Sequence, residues 1–149
     1  MIRKLIPDDR EIYIEMAMEF YGSDAVSHAI PRKHHEDAFS HMVTTGIYLT
    51  GYYFEYDGCP AGFGVAAKTY SPEAGGMVLW IEDLYVREAY RGKGIASDFF
   101  RRLEKDYSGT AVRWRLEIMP ENEGAKRLYK RNGFEECPYL PMIRELYDM

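Results

Sequence analysis

A chain of 149 residues that is 46% hydrophobic and 15% aromatic has the length of one domain and enough apolar surface to fold alone, which excludes a disordered chain. No apolar run approaches the ~18 residues of a membrane span, no apolar core of signal-peptide length follows Met1, and a net charge of −5 argues against a general nucleic-acid binder, so a cytoplasmic protein is expected. Residues 1–86 carry 6 Lys/Arg against 13 Asp/Glu and residues 87–149 carry 13 against 11, which suits the first half to a cation and the second to an anion; a plain solvated acidic surface explains most of those carboxylates equally well.

Ile2 to Ile6 reads as a short strand, stopped by Pro7-Asp8-Asp9, which also caps the next element. Ile12, Met16 and Phe20 recur every four residues, the spacing of an amphipathic helix ending before Gly22. Residues 22–30 form a connection, and Pro31 opens a second helix that carries Ala38, Phe39, Met42 and Val43 on one side and ends at Gly46. From Ile47 to Thr69 the pattern turns to strands rich in Tyr, Phe and Val, broken at Asp57-Gly58, a dipeptide made for a tight hairpin. Met77 to Val86 is the next strand, after the break at residues 71–76.

A third helix is marked by Ile95, Ala96, Phe99, Phe100 and Leu103 and closes near Ser108-Gly109. Ala111 to Ile118 alternates as a strand, and Asn122 caps a fourth helix with Ala125, Leu128 and Tyr129 on one stripe, stopped by Asn132-Gly133. Phe134 to Cys137 and Tyr139 to Tyr147 are expected as closing strands, with Pro141 interrupting the second. The order βααβββαβαββ describes a single α/β domain over residues 1–149, its sheet antiparallel early and parallel where the third helix crosses over. Cys59 and Cys137 share no CxxC spacing and read as small buried hydrophobes.

The segment that carries chemistry is Arg91-Gly92-Lys93-Gly94-Ile95-Ala96, between a strand and a helix. Two glycines let the backbone turn tightly, so that the N–H groups of residues 92–97 converge on an anion at the positive end of the helix. A P-loop would need Ser or Thr after Gly92-Lys93, and a dinucleotide fingerprint would need Gly or Ala where Ser97 stands; neither fits. Taken alone, the glycine pair is a plain strand-to-helix turn.

Its surroundings change that reading. Val86 followed by Arg91-Gly92-Lys93-Gly94-Ile95-Ala96, and the later run from Asn122 through Ala125, Leu128 and Tyr129 to Gly133-Phe134, resemble the two signature blocks of the GNAT superfamily of acetyltransferases. The resemblance is close over residues 78 to 137 and implies a GNAT-type sheet, mixed and mostly antiparallel, flanked by helices. It implies acetyl-CoA as cosubstrate, with Leu84, Tyr85 and Val86 offering backbone groups to pantetheine, residues 92–97 (Gly92, Lys93, Gly94, Ile95, Ala96 and Ser97) holding the diphosphate, and Arg91 and Lys93 adding attraction. Asn122 and Ala125 would border the cofactor. Tyr129, which spacing alone reads as a core tyrosine, becomes the general acid for the departing thiolate.

The acceptor amine arrives protonated and must lose a proton before it attacks. The run Ile81-Glu82-Asp83-Leu84-Tyr85-Val86 resembles that of polyamine acetyltransferases, which implies Glu82 as base and Asp83 as a second substrate contact; as residues alone, they are also an acidic pair at a strand rim. Glu117 either lines the same cleft or pairs across strands. His28, His34, His35 and His41 lack HExxH spacing, so no metal is proposed. The expected partner is a small amine, with no nucleic acid or membrane, and the resemblance implies a tendency to form homodimers. A protein N-terminus or lysine is the alternative acceptor, a non-catalytic acyl-CoA-binding module the alternative class, and a nucleotide-binding protein the third choice.

Overall fold

A computed structural model describes residues 1–146. Five strands lie in the order of the chain: β1 (Ile2–Lys4), β2 (Leu49–Tyr56), β3 (Cys59–Ser71), β4 (Gly76–Val86) and β5 (Ala111–Leu116). The first four pair antiparallel, and β5 pairs parallel to β4 because α3 (Ile95–Asp106) provides the crossover. The β2–β3 hairpin turns where the sequence says it must, with Asp57 at φ 50° and Gly58 at φ 77°.

Helices α1 (Arg10–Tyr21) and α2 (Arg32–Thr44) cover one face of the sheet. Tyr13, Ile14, Met16, Ala17 and Phe20 of α1 meet Phe39 of α2 and Tyr53, Phe63 and Val65 of the sheet. The opposite face packs Tyr52, Phe54, Leu79 and Ile81 under Phe99, Phe100 and Leu103 of α3, with Tyr129 of α4 (Glu123–Arg131) and Phe134 at its margin. Gly64 permits this: a Cβ there would come within 2.6 Å of the Phe99 ring. Among the described residues no helix is long and apolar enough to cross a membrane.

Three expectations change. Phe134–Cys137 and the described part of 139–147 form no strand; Glu135 and Glu136 are exposed, Pro138 and Pro141 withhold donors, and β5 keeps an unpaired side. Tyr147 lies outside the described residues. Cys59 and Cys137 are exposed, because one opens β3 immediately after the hairpin turn and the other sits in the extended stretch after α4. Asp9 does not cap α1 with its side chain; the carboxylate turns back to accept from the Ile6 N–H and from Arg3, both at 2.8 Å.

Candidate active site at the β4–β5 splay

Pairing between β4 and β5 stops at Ile81–Leu116, yet β4 runs on to Val86. From Glu82 onward, therefore, the side of β4 that faced β5 has no neighbouring strand, and the gap opens toward the N-terminus of α3. A β-bulge sits at the same point. Val65 faces Asp83 and Ala66 faces Ile81, so Glu82 is the extra residue. Its insertion shifts the alternation by one: Leu79 and Ile81, then Leu84 and Val86, all pack on the α3 face, while Tyr85 packs among the α1–α2 residues.

The bulge separates the two acids. Asp83 is buried, with 8% exposure, and accepts a 2.7 Å hydrogen bond from the Tyr21 hydroxyl. Burial pushes its carboxyl up to about 6, opposed by Tyr21 and reinforced by the neighbouring Glu82 charge. Glu82 reaches the surface of the splay. Its carboxyl is also held above the usual range, first by partial burial and then by Glu117, just beyond the end of β5. Glu117 makes no ion pair with Arg115 among the described residues; that guanidinium lies 4.6 Å from the Trp80 ring centroid. Sequence reasoning missed the Tyr21–Asp83 bond, since 62 residues separate the partners.

At the mouth of the splay, Gly92 (φ 76°) and Gly94 (φ 80°) both take left-handed backbone, and a Cβ on either would meet no atom within 4 Å. Gly94 is the N-cap of α3, and the first helical bond runs from the Asp98 N–H to the Gly94 carbonyl at 3.0 Å. The N–H groups before Asp98 have no partner within the helix and stand at its positive end, over open space. That arrangement fits a diphosphate. Ile95 and Ala96 are buried, so they would contribute backbone only, whereas Ser97 is half-buried.

The flanking cations are engaged elsewhere. Arg91 donates from Nε to the Val86 carbonyl at 3.0 Å, which locks the turn to the end of β4, and the Lys93 ammonium sits 5.2 Å from the centroid of Tyr56. The Asn122 side chain accepts from the Ala125 N–H at 3.1 Å and starts α4. Tyr129, two turns from that cap, packs its ring against Phe100 and Phe134, with centroids 6.2 and 5.7 Å away. Burial alone pushes its hydroxyl up to about 12, and the hydroxyl has no hydrogen-bond partner among the described residues.

The sequence pattern of the Acetyltransferase (GNAT) family matches residues 11–134, a span that holds all of α1 but Arg10, the splay, the glycine turn and Tyr129. The chain belongs to the GNAT acetyltransferase family. Thialysine N-epsilon-acetyltransferases of Bos taurus and Sus scrofa are similar to this GNAT chain at 32% identity over 79 residues and 33% over 76. Those matches cover 52% and 50% of it but only 46% and 44% of the relatives, so the chain spans less than half the length of the curated relatives it matches.

Solved structures share the GNAT fold over nearly the whole chain. A probable acetyltransferase superposes with a TM-score of 0.81 at 18% identity, covering 100% of this chain and 99% of the other. An aminoglycoside N-acetyltransferase in complex with CoA superposes with a TM-score of 0.78 at 18% identity, covering 99% and 95%.

Proposed function

We propose that this chain moves the acetyl group of acetyl-CoA onto the primary amine of a small cationic acceptor, with Glu82 as base and Tyr129 as acid. The observation that carries the reading is the premature end of β4–β5 pairing directly beside the glycine turn. An arm bearing amide groups can hydrogen-bond along the free edge of residues 84–86 while its diphosphate rests on the amides of residues 92–97. Because Arg91 already occupies the Val86 carbonyl, Leu84 and Tyr85 are left to supply most of that edge.

The acceptor's cation is drawn to the acidic side of the splay, where Glu82 and Glu117 lie close enough to raise the Glu82 carboxyl. That shift brings Glu82 nearer to the pH at which a base both holds its ionised form and accepts a proton readily. The ammonium gives one proton to Glu82, directly or through water. The freed nitrogen lone pair then forms the C–N bond as the C–S bond breaks, with a backbone N–H of residues 84–86 stabilising the carbonyl oxygen. The departing thiolate takes the Tyr129 phenolic proton, the acylated nitrogen then loses its second proton through water to the phenolate, and Glu82 releases the first to solvent. A hydroxyl pushed to about 12 stays protonated at every working pH, and the same dry surroundings raise the basicity of the thiolate that must accept from it.

The similarity to thialysine N-epsilon-acetyltransferases supports a small amine as acceptor, as does the acidic first half. The test is free-thiol release from acetyl-CoA across a panel of diamines, amino acids and peptides, with products identified by mass spectrometry. Turnover confined to small amines is the expected result; tight CoA binding with no thiol release on any amine would leave only a binding module.

A further inference from the structure

The face of β4 and β5 turned away from α3 carries its charges in a definite order. Leu79, Ile81 and Trp114 pack on the α3 side, so alternation turns Val78, Trp80, Arg113 and Arg115 to the opposite face. There the register sets Val78 beside Arg113 and Trp80 beside Arg115. Two residues further along the chain come Glu82 and Glu117, whose charges act on one another. Acid therefore gives way to base over one strand step, about 7 Å. Val78 and Trp80 lie outside the cluster that α1 and α2 pack. A recess of about 230 Å³ opens on this face, lined by Thr69, Val78, Trp80, Arg113 and Arg115 among others.

The two guanidinium groups are not equivalent. Arg113 is held by Glu73 at 2.8 Å, and Glu73 also accepts from the Tyr139 hydroxyl at 2.6 Å. Arg115 makes no ion pair among the described residues. Its guanidinium lies over the Trp80 ring, 4.6 Å from the centroid, and its Nη2 approaches the Cys137 sulfur at 3.5 Å. An arginine supported on an aromatic face keeps the N–H fork at its edge, and a carboxylate can accept two of those hydrogens at once. An isolated surface arginine would need no such partner. This one borders a recess, one strand step from the acid assigned to the amine.

We propose that the acceptor is an amino acid held at both ends, its reacting amine at Glu82 and its carboxylate on Arg115. The inference rests on the acetyl-transfer reading and narrows its acceptor. The spacing sets the length of the molecule: six bonds from nitrogen to carboxyl carbon equal two residues of extended backbone, about 7 Å. A diamine of the same length would bring its second ammonium against Arg115 and be repelled. Glu82 and Glu117 thus admit a cationic end, and Arg115 chooses among molecules by what stands at the other.

Three probes share five methylenes and one reacting amine: 6-aminohexanoate, pentylamine and 1,5-diaminopentane. Their affinities for the CoA-saturated chain are read by calorimetry, which needs no turnover, and their kcat/KM by thiol release from acetyl-CoA. The aminocarboxylate should bind about tenfold more tightly than pentylamine, and the diamine should bind no better than pentylamine. Arg115→Gln should bring 6-aminohexanoate and pentylamine level with an unchanged circular dichroism spectrum, because Arg115 is not part of the core. Arg115→Glu should reverse the order in favour of the diamine. Thiol release on none of the three would count against the transfer reading, while the calorimetric order would still decide the carboxylate subsite. A diamine bound as tightly as 6-aminohexanoate, no detectable binding of 6-aminohexanoate, or a gap that survives Arg115→Gln would overturn the proposal.

Discussion

The two sides of β5 set different tasks with the same raw material, an unpaired strand edge. On the inner side, β4 and β5 part after Ile81–Leu116, and the edge left free on β4 is bounded by a glycine turn, a helix N-terminus and two acids. On the outer side, the free edge of β5 borders a groove of mixed lining, with Leu103, Trp114 and Phe134 beside Arg113, Arg115 and Glu117. Backbone geometry alone does not distinguish them. Under the proposed function, the groups around the inner edge serve phosphate and an ammonium, whereas the outer edge has no glycine turn or helix N-terminus beside it among the described residues. The comparison predicts that changes at the inner edge alter turnover.

The largest effect is expected from Tyr129→Phe, which removes the proton donor while keeping the ring against Phe100 and Phe134. The kcat for thiol release should fall about 10²–10⁴-fold with little change in the KM for acetyl-CoA. A retained kcat would take Tyr129 out of the chemistry. Glu82→Gln should come next, lowering kcat/KM for the amine by about 100-fold near neutral pH.

On the proposed mechanism Glu82 works in its ionised form, so activity should rise with pH through its titration. Partial burial and, after it, the Glu117 charge hold that titration high, and Glu117→Gln should move the acid limb toward lower pH. A limb that stays in place would uncouple the two acids.

Gly94→Ala sharpens the comparison at the turn itself. A side chain at φ 80° costs about 1–2 kcal/mol and intrudes on the anion's approach, so CoA should bind roughly tenfold more weakly by calorimetry. The smallest effect is on stability. Asp83 titrates near 6 in the fold against about 3.8 when unfolded, so the folded chain holds the extra proton between those values. Stability on this account is fully present below pH 4 and is lost as pH rises toward 6. Asp83→Asn, which keeps an acceptor for Tyr21, should therefore gain in melting temperature over the wild type as pH rises from 4 to 7; a constant difference would contradict the shift.

Much of this was legible in the sequence because the signals are local. The four-residue spacing of α1 and α3, Asp57-Gly58, the Asn122 cap and the left-handed Gly133 each act within a few residues, and each element formed where expected. The bulge was legible too, though easily passed over: Leu79 and Ile81 keep a period of two, Leu84 and Val86 resume it one residue late, and Glu82 marks the slip. Partners distant in the chain were not legible. Nothing near Asp83 announces Tyr21, and the strand expected over 139–147 did not form, because Pro141 withholds a donor and nothing in the sequence names an edge for it to pair with. Exposure of Cys59 and Cys137 likewise depends on where the chain turns, not on the residue.

The most direct test of the central claim, that the free edge of β4 and the turn before α3 grip one ligand together, is hydrogen exchange with and without saturating CoA. Amides of residues 92–97 and of Leu84–Tyr85 should slow together, while those of α1 and α2 stay as they were. Unchanged exchange at both segments in the presence of CoA, or protection confined to another part of the sheet, would contradict the account.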